Sequence, residues 1–299
     1  MPVDGLVVVD KAAAWTSHDV VAKLRGVYRQ RRIGHAGTLD PDATGVLLVG
    51  LGRATRLLRF LMETDKAYRG VVVFGVATDT LDAAGTVLER VAVDVTERDV
   101  RAATRRFVGR IEQVPPMVSA VKVGGRRLYE LAREGRQVER APRRVEVTRF
   151  DVESFVPGAY PRAAVCVECS SGTYIRTLAA DLGAALGVPA HLAELRRVRS
   201  GSFTVDDART VEAIVADPAA AVLTPAGAMR ALEQISVDHD VARAAAHGVV
   251  FPLPAFGGAD LGPGPFALVD PDGALVAVYE RRGAGIKPAV VISSAGEGS

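Results

Sequence analysis

The sequence predicts a mixed α/β (α+β) domain of about 235 residues followed by a small β module. Three observations carry this expectation. Helical and strand periodicities alternate along the first part of the chain. After Ile235 the texture changes: Pro252, Pro254, Pro263 and Pro265, with six glycines between Gly257 and Gly283, cut the apolar runs short. The charge also reverses. Up to Val205 there are 31 Lys and Arg against 23 Asp and Glu, and from Asp206 onward 6 against 12, so a balance of +8 becomes −6. Two domains are expected, 1–235 and 236–299.

In chain order, Leu6–Val9 is a short buried strand. Ser17 is placed to cap a helix that carries Val20, Val21 and Leu24 at helical spacing. Tyr68–Phe74, rich in β-branched and aromatic residues and closed by Gly75, is a strand. Thr96-Glu-Arg-Asp99 has the pattern of a capping box and opens a helix to Val108, stopped by Gly109. Leu128–Arg133 is a short helix ending at Gly135. Val145–Phe155 alternates apolar and polar residues, as a half-buried strand does. Tyr174–Leu186 is an amphipathic helix closed by Gly187. In the tail, Phe266–Val269 and Leu275–Tyr279 flank Asp270-Pro-Asp-Gly273, a strong hairpin signal.

Composition excludes several classes. With 48% hydrophobic and 24% charged residues, neither a disordered tail nor a membrane-embedded chain fits. Apolar runs such as Val46–Leu51 and Ala274–Tyr279 fall far short of the ~18 residues that a bilayer span needs. The start, with Asp4 and Asp10 around a short apolar run, lacks the pattern of a signal peptide. Two cysteines make no disulfide framework, so a cytoplasmic location is expected. Cys166 and Cys169 do form a C-x-x-C. On a strand, however, residues three apart face opposite ways, and no second ligand pair follows, so structural cysteines and no metal are expected. Gly50-Leu-Gly52 lacks the third glycine and distant acid of a dinucleotide fingerprint. There is no Walker-type phosphate loop either, so no nucleotide cofactor is expected.

Basic residues are clustered. Lys23–His35 holds five Lys and Arg and no acid, Lys122–Arg149 holds nine against four acids, and Arg196, Arg197 and Arg199 form a third group. Tyr28, Tyr68, Tyr129 and Tyr174 lie in or near these stretches. Cations beside aromatics suit a nucleic-acid backbone with stacked bases; ordinary solvated surface is the plainer alternative. Gly34–Gly45 packs three glycines, a proline and two carboxylates between a basic and an apolar stretch, which favours a shaped loop. Asp40 precedes Pro41 and is biased to extended backbone. An Asx turn with Asp42 capping a following helix is the alternative there. These residues reach a carboxylate on a loop beside a basic surface, without naming a reaction.

Gly34-His35-Ala-Gly-Thr-Leu-Asp40-Pro, followed by Thr44-Gly-Val-Leu47, resembles the signature of the bacterial tRNA pseudouridine synthase B (TruB) family. Asp65-Lys-Ala-Tyr68-Arg, Thr78-Asp-Thr-Leu-Asp82, Gln113-Val-Pro-Pro-Met-Val-Ser-Ala-Val-Lys122, Ser171-Gly-Thr-Tyr174-Ile-Arg176 and Leu192-Ala-Glu-Leu195-Arg-Arg follow in the family's order, from about residue 5 to 205. The resemblance implies a mixed, largely antiparallel sheet of the pseudouridine synthase fold, flanked by helices. It also implies an RNA-clamping insertion at about 117–145 and a small PUA-like β domain at the end. The implied activity is isomerisation of uridine 55 in the tRNA T loop to pseudouridine by base flipping, with no cofactor and no metal. By the same resemblance Asp40 is the nucleophile and Arg176 its ion-pair partner. Tyr68 stacks on the target base, Tyr174 and Leu195 line the pocket, and His35 wedges into the T loop. Asp82 and Lys122 lie on the RNA-facing side. The chain departs from the family's Lys-Pro-x-Gly after the first strand, having Lys11-Ala12-Ala13-Ala14, which bears on that turn and on Lys11. Two rival functions are a non-catalytic tRNA-binding or tRNA-folding protein and a nucleoside hydrolase.

Overall fold

The computed structural model describes residues 2–119, 122, 123, 125–128, 131, 134, 136, 138–256 and 261–292, with backbone alone at Lys122, Val123 and Arg127. The chain opens with β1 (Gly5–Lys11), α1 (Ser17–Val27), β2 (Ile33–Ala36) and β3 (Thr44–Leu51). Then come α2 (Leu58–Met62), β4 (Lys66–Phe74), a small hairpin of β5 (Val76–Thr78) and β6 (Val87–Arg90), α3 (Glu97–Thr104) and β7 (Gly109–Gln113). The two-residue strands β8 (Lys122–Val123) and β9 (Arg126–Arg127) precede the long β10 (Arg143–Val156), β11 (Arg162–Cys169), α4 (Ile175–Ala185) and β12 (Ala190–Ser200). β13 (Phe203–Thr204), α5 (Val211–Ala216), β14 (Val222–Leu223) and α6 (Pro225–Ala228) complete this part.

Its main sheet runs β14–β1–β3–β12–β4–β11–β10–β7, with β2 added to β3 and β13 to β12. Every pairing in it is antiparallel except one, the short parallel seam where Arg196 and Arg197 of β12 meet Thr44 and Gly45 of β3. The near-continuous apolar runs of β1 and β3 have a direct cause. Val7, Val9, Leu47 and Val49 face one core, shared with Leu24 of α1 and Leu178 of α4. Their neighbours Leu6, Val8, Val46 and Leu48 face a second core with Leu57, Leu58 and Leu61. β10 alternates because Val147, Phe150 and Val152 pack with Val100 and Ala103 of α3, while the residues between them meet solvent.

Three local expectations are corrected. Thr16, not Ser17, caps α1: its extended backbone lets Oγ1 accept from the Asp19 amide (3.0 Å), and the Asp19 carboxylate accepts from the Thr16 amide (2.8 Å). Ser17 is the first helical residue, and its hydroxyl turns to Leu39, accepting from the amide at 3.0 Å and donating to the carbonyl at 3.2 Å. Residues 34–45 are not one loop, because β2 pairs His35 with Val49 and leaves only 37–43 irregular. Asp42 caps no helix, since β3 follows it. The helix expected at Leu128–Arg133, like much of the 117–145 insertion, lies largely outside the described residues.

The second sheet runs β15–β17–β18–β19–β16, built from β15 (Glu233–Ser236), β16 (Phe251–Pro252), β17 (Phe266–Val269), β18 (Leu275–Arg282) and β19 (Gly285–Val291), with α7 (His239–Ala246) on it. Asp270 shapes the expected β17–β18 turn by accepting from the Asp272 and Ala274 amides (3.0 and 2.8 Å). β15 straddles the expected domain break at 235. Ala267, Val269, Leu275 and Val278 share a core with Leu57, Leu58 and Leu61, and Arg59 pairs with Glu280 at 3.0 Å, so the acidic module sits on a basic flank.

Candidate active site

The loop from Gly37 to Ala43 would be free to wander if its own residues were its only support. Instead, buried side chains from three other segments hold it. Ser17 grips Leu39, as described above. Lys11, fully buried at the end of β1, donates to the carbonyls of Ala12 (3.0 Å), Trp15 (2.6 Å) and Pro41 (2.9 Å). Burial pulls its pKa down to about 8, so at pH 7 the ammonium keeps its proton and its three N–H groups match three acceptors. The third support is Arg197, 1% exposed, whose Nε donates to the Val46 carbonyl (2.7 Å) and Nη2 to the Gly37 carbonyl (2.9 Å). At the loop's far end Gly45 takes φ +99°, and a Cβ there would lie 2.2 Å from the Arg197 carbonyl oxygen, so only glycine lets β3 meet β12.

Lys11→Met is expected to cost about 3 kcal/mol in urea unfolding, because three buried carbonyls lose a charged donor. An unchanged midpoint would show that the Pro41 contact is incidental. The departure at residues 12–14 has a structural price at Ala14, which holds φ +64° in the left-handed region where alanine is strained. Ala14→Gly is therefore expected to raise stability by about 0.5–1 kcal/mol, read from the same unfolding curves.

Asp40 stands at the centre of this supported loop, its side chain about half open to a cleft of about 420 Å³. Arg176, in the first turn of α4 and almost fully buried, brings Nε to 3.1 Å from the Asp40 carboxylate and Nη1 to 3.2 Å from Asp82. Nη1 also donates to the Thr80 carbonyl (3.1 Å) and Nη2 to the Val118 carbonyl (2.7 Å), which fixes the guanidinium plane. Asp82 is itself oriented by the Ala84 amide (3.1 Å) and the Thr80 hydroxyl (2.5 Å). The protein walls around Asp40 push its pKa up from the usual carboxylate value; Arg176 opposes that rise and Asp82 adds to it.

Tyr68, Tyr174 and Leu195 line the same cleft as Asp40 and Arg176. Tyr68 comes from the sheet interior at β4, and burial raises its phenol pKa, so at neutral pH the phenol keeps its proton. Tyr174 precedes α4 and is fixed through its backbone: the Gln113 side chain accepts from its amide (2.7 Å) and donates to its carbonyl (3.0 Å). Asp82 borders an adjoining cavity of about 220 Å³, for which Asp40, Arg176 and Leu195 form the shared wall. His35 does not line the cleft. It lies on β2 with its ring edge-on to His18 (centroids 5.5 Å apart), and burial lowers its pKa to about 4, leaving it neutral at pH 7. Lys122 lies on β8, with its side chain outside the described residues.

Gln113, Lys11, Ser17 and Arg197 were not among the expected site residues. Gln113 and Arg197 stood inside motifs already singled out, and Lys11 at the departure after the first strand; what no local signal showed is that Lys11 and Ser17 hold the Asp40 loop. Cys166 and Cys169 are buried and free, and burial lifts the Cys169 thiol to about 11. Among the described residues no group of three His, Cys, Asp or Glu could hold a metal ion, and no helix is long and apolar enough to cross a membrane.

Comparison with known proteins identifies the family. Residues 25–175 match the model of the TruB family pseudouridylate synthase N-terminal domain, and residues 176–232 match that of the tRNA pseudouridylate synthase B C-terminal domain. The chain belongs to the TruB family. It is 51% identical over 248 residues to tRNA pseudouridine synthase B of Symbiobacterium thermophilum, covering 83% of each chain. It is 46% identical over 300 residues to the Thermobifida fusca protein of the same name, covering 97% of this chain and 99% of that one. A chain from the crystal structure of a Cbf5–Nop10–Gar1 complex superposes with a TM-score of 0.76 at 26% identity, over 97% of this chain and 85% of that one. The TruB matches place Asp40 and Tyr68 in the N-terminal family domain and Arg176 and Leu195 in the C-terminal one.

Proposed function

We propose that this chain converts uridine 55 in the T loop of tRNA to pseudouridine in the cytoplasm, with Asp40 as the reacting carboxylate. The observation that carries this reading is the Asp40–Arg176 ion pair, in which a buried guanidinium aims a half-open carboxylate into a cleft floored by Tyr68. In the reaction the C1′–N1 bond breaks, the uracil turns, a C1′–C5 bond forms, C5 gives up a proton and N1 takes one up. Electrons and atoms balance without water or an oxidant. Attack at C1′ and proton removal towards a glycal both need the carboxylate ionised, and Arg176 favours that form.

A uridine inside a folded loop must first leave its stack, at a cost of a few kcal/mol. Stacking on Tyr68 returns about 1–3 kcal/mol of that. Tyr174 and Leu195 enclose the base, while Asp82 holds the other side of the Arg176 fork. His35, neutral and on β2 outside the cleft, is suited to fill the gap left in the T loop without a charge penalty. Lys122 and the basic insertion around it contact the RNA backbone in this proposal.

Tritium release from a T-arm hairpin labelled at C5 of its uridines tests the reaction, because isomerisation displaces that hydrogen whereas binding and glycosidic hydrolysis leave it in place. Release at a single position equivalent to uridine 55 is the expected result. Tight binding without release would leave a tRNA-binding or tRNA-folding protein, and free uracil would reveal a hydrolase.

A further inference from the structure

Among the described residues Arg197 is the bulkiest fully buried side chain, and no carboxylate forms an ion pair with it. A buried guanidinium without a counter-ion is costly, and a packed apolar side chain would stabilise the fold more. What Arg197 provides is geometric. On β12 it sits between two register partners, Tyr68 of β4 on one side and Gly45 of β3 on the other. Its Nε and Nη2 hold the carbonyls of Val46 and Gly37, which flank Asp40 on the two limbs of the loop. The guanidinium also engages the Tyr68 hydroxyl. A Cβ at Gly37 would come within 3.3 Å of Nη1, so the loop rests directly against the fork.

We propose that Arg197 is a positioning residue for the isomerisation, one planar group that sets the separation between the Asp40 carboxylate and the Tyr68 ring. The inference rests on the reading of the cleft as a pseudouridine synthase site. Lysine is a poor substitute, because a single ammonium on a flexible stem cannot span acceptors on three segments in a fixed plane. The two limbs of the loop would then shift relative to Tyr68, and a displacement near 1 Å slows a positioned reaction by about 100-fold.

The test compares Arg197→Met, Arg197→Lys, Tyr68→Phe and the Arg197→Met, Tyr68→Phe double variant. Single-turnover tritium release, hairpin Kd and thermal midpoint are measured on the same preparations. Each Arg197 variant is expected to release tritium about 100-fold more slowly with Kd within about threefold of wild type. The double variant should be no more than about threefold slower than the slower single, because the hydroxyl and its anchor act as a unit. Full speed with lysine, losses that simply multiply, or a loss that tracks the unfolded fraction would each overturn the positioning role. A silent wild type would overturn the functional reading as well, whereas an active wild type with unimpaired Arg197 variants would overturn this inference alone.

Discussion

Asp40→Ala is expected to release no measurable tritium, a fall of at least about 10⁴-fold, while binding the T-arm hairpin within about threefold of wild type. The size follows from the cleft: Asp40 is the carboxylate that faces both Arg176 and the Tyr68 floor, and no neighbour can take its place. Asp82 is turned away, held by the Ala84 amide and the Thr80 hydroxyl on the far side of the guanidinium. Asp40→Asn should be equally silent yet no less stable than wild type. A carboxylate whose pKa is raised on folding is more protonated in the folded than in the unfolded chain, so its ionisation opposes folding in full above that raised pKa, and the penalty fades as pH falls from there to the ordinary carboxylate value. Asparagine removes that burden at neutral pH. Residual release above about 1% of wild type by either variant would move the chemistry to another residue.

The second large effect is expected at Arg176. Arg176→Met leaves Asp40 and Asp82 on either side of a vacated guanidinium position, without the cation that neutralises both, and strips the Thr80 and Val118 carbonyls of their donor. Breaking a fully buried pair costs about 3–5 kcal/mol; both carboxylates here reach solvent, so about 2 kcal/mol is expected. Release should slow by about 10²–10³-fold. The pH profile carries the sharper signature. Activity needs ionised Asp40, and its raised pKa places the acid limb of kcat/KM above the ordinary carboxylate range. Losing Arg176 removes the main influence holding that pKa down, so the limb should move to higher pH. A slow variant with an unmoved limb would make Arg176 a support of the fold alone.

How much of this was legible in the sequence varies by residue, for physical reasons. Asp40, Tyr68, Tyr174, Arg176 and Leu195 sit in short motifs whose order along the chain is their signature, and the structure brings these five to one cleft. Strands with clean alternation, such as β10, and helices with local caps, such as α3, were readable because short-range chemistry specifies them. Ser17 was misread because a cap and a first-turn residue differ by one position, and its true partner, Leu39, is distant in sequence. Ala14 stands where the family pattern has glycine, and that was the sequence's one hint of its left-handed backbone. Arg197 looked like one of three surface cations beside Arg196 and Arg199, and only its place between β3 and β4 buries it. Charge predicts exposure unless the sheet order is known.

The parallel seam between β3 and β12 joins residues about 150 positions apart, and with it the two halves of the reaction centre. On a ribosome adding about 5–20 residues per second, roughly 7–27 s pass between the appearance of Asp40 and that of Arg176. During that interval the nascent chain has the carboxylate proposed to react but neither its cation nor the strand that staples its loop. It is therefore inert towards the tRNAs crowding the site of its own synthesis. On the proposed reading, the site is complete only once the 190–200 segment has slotted between β3 and β4, both of which are made before it.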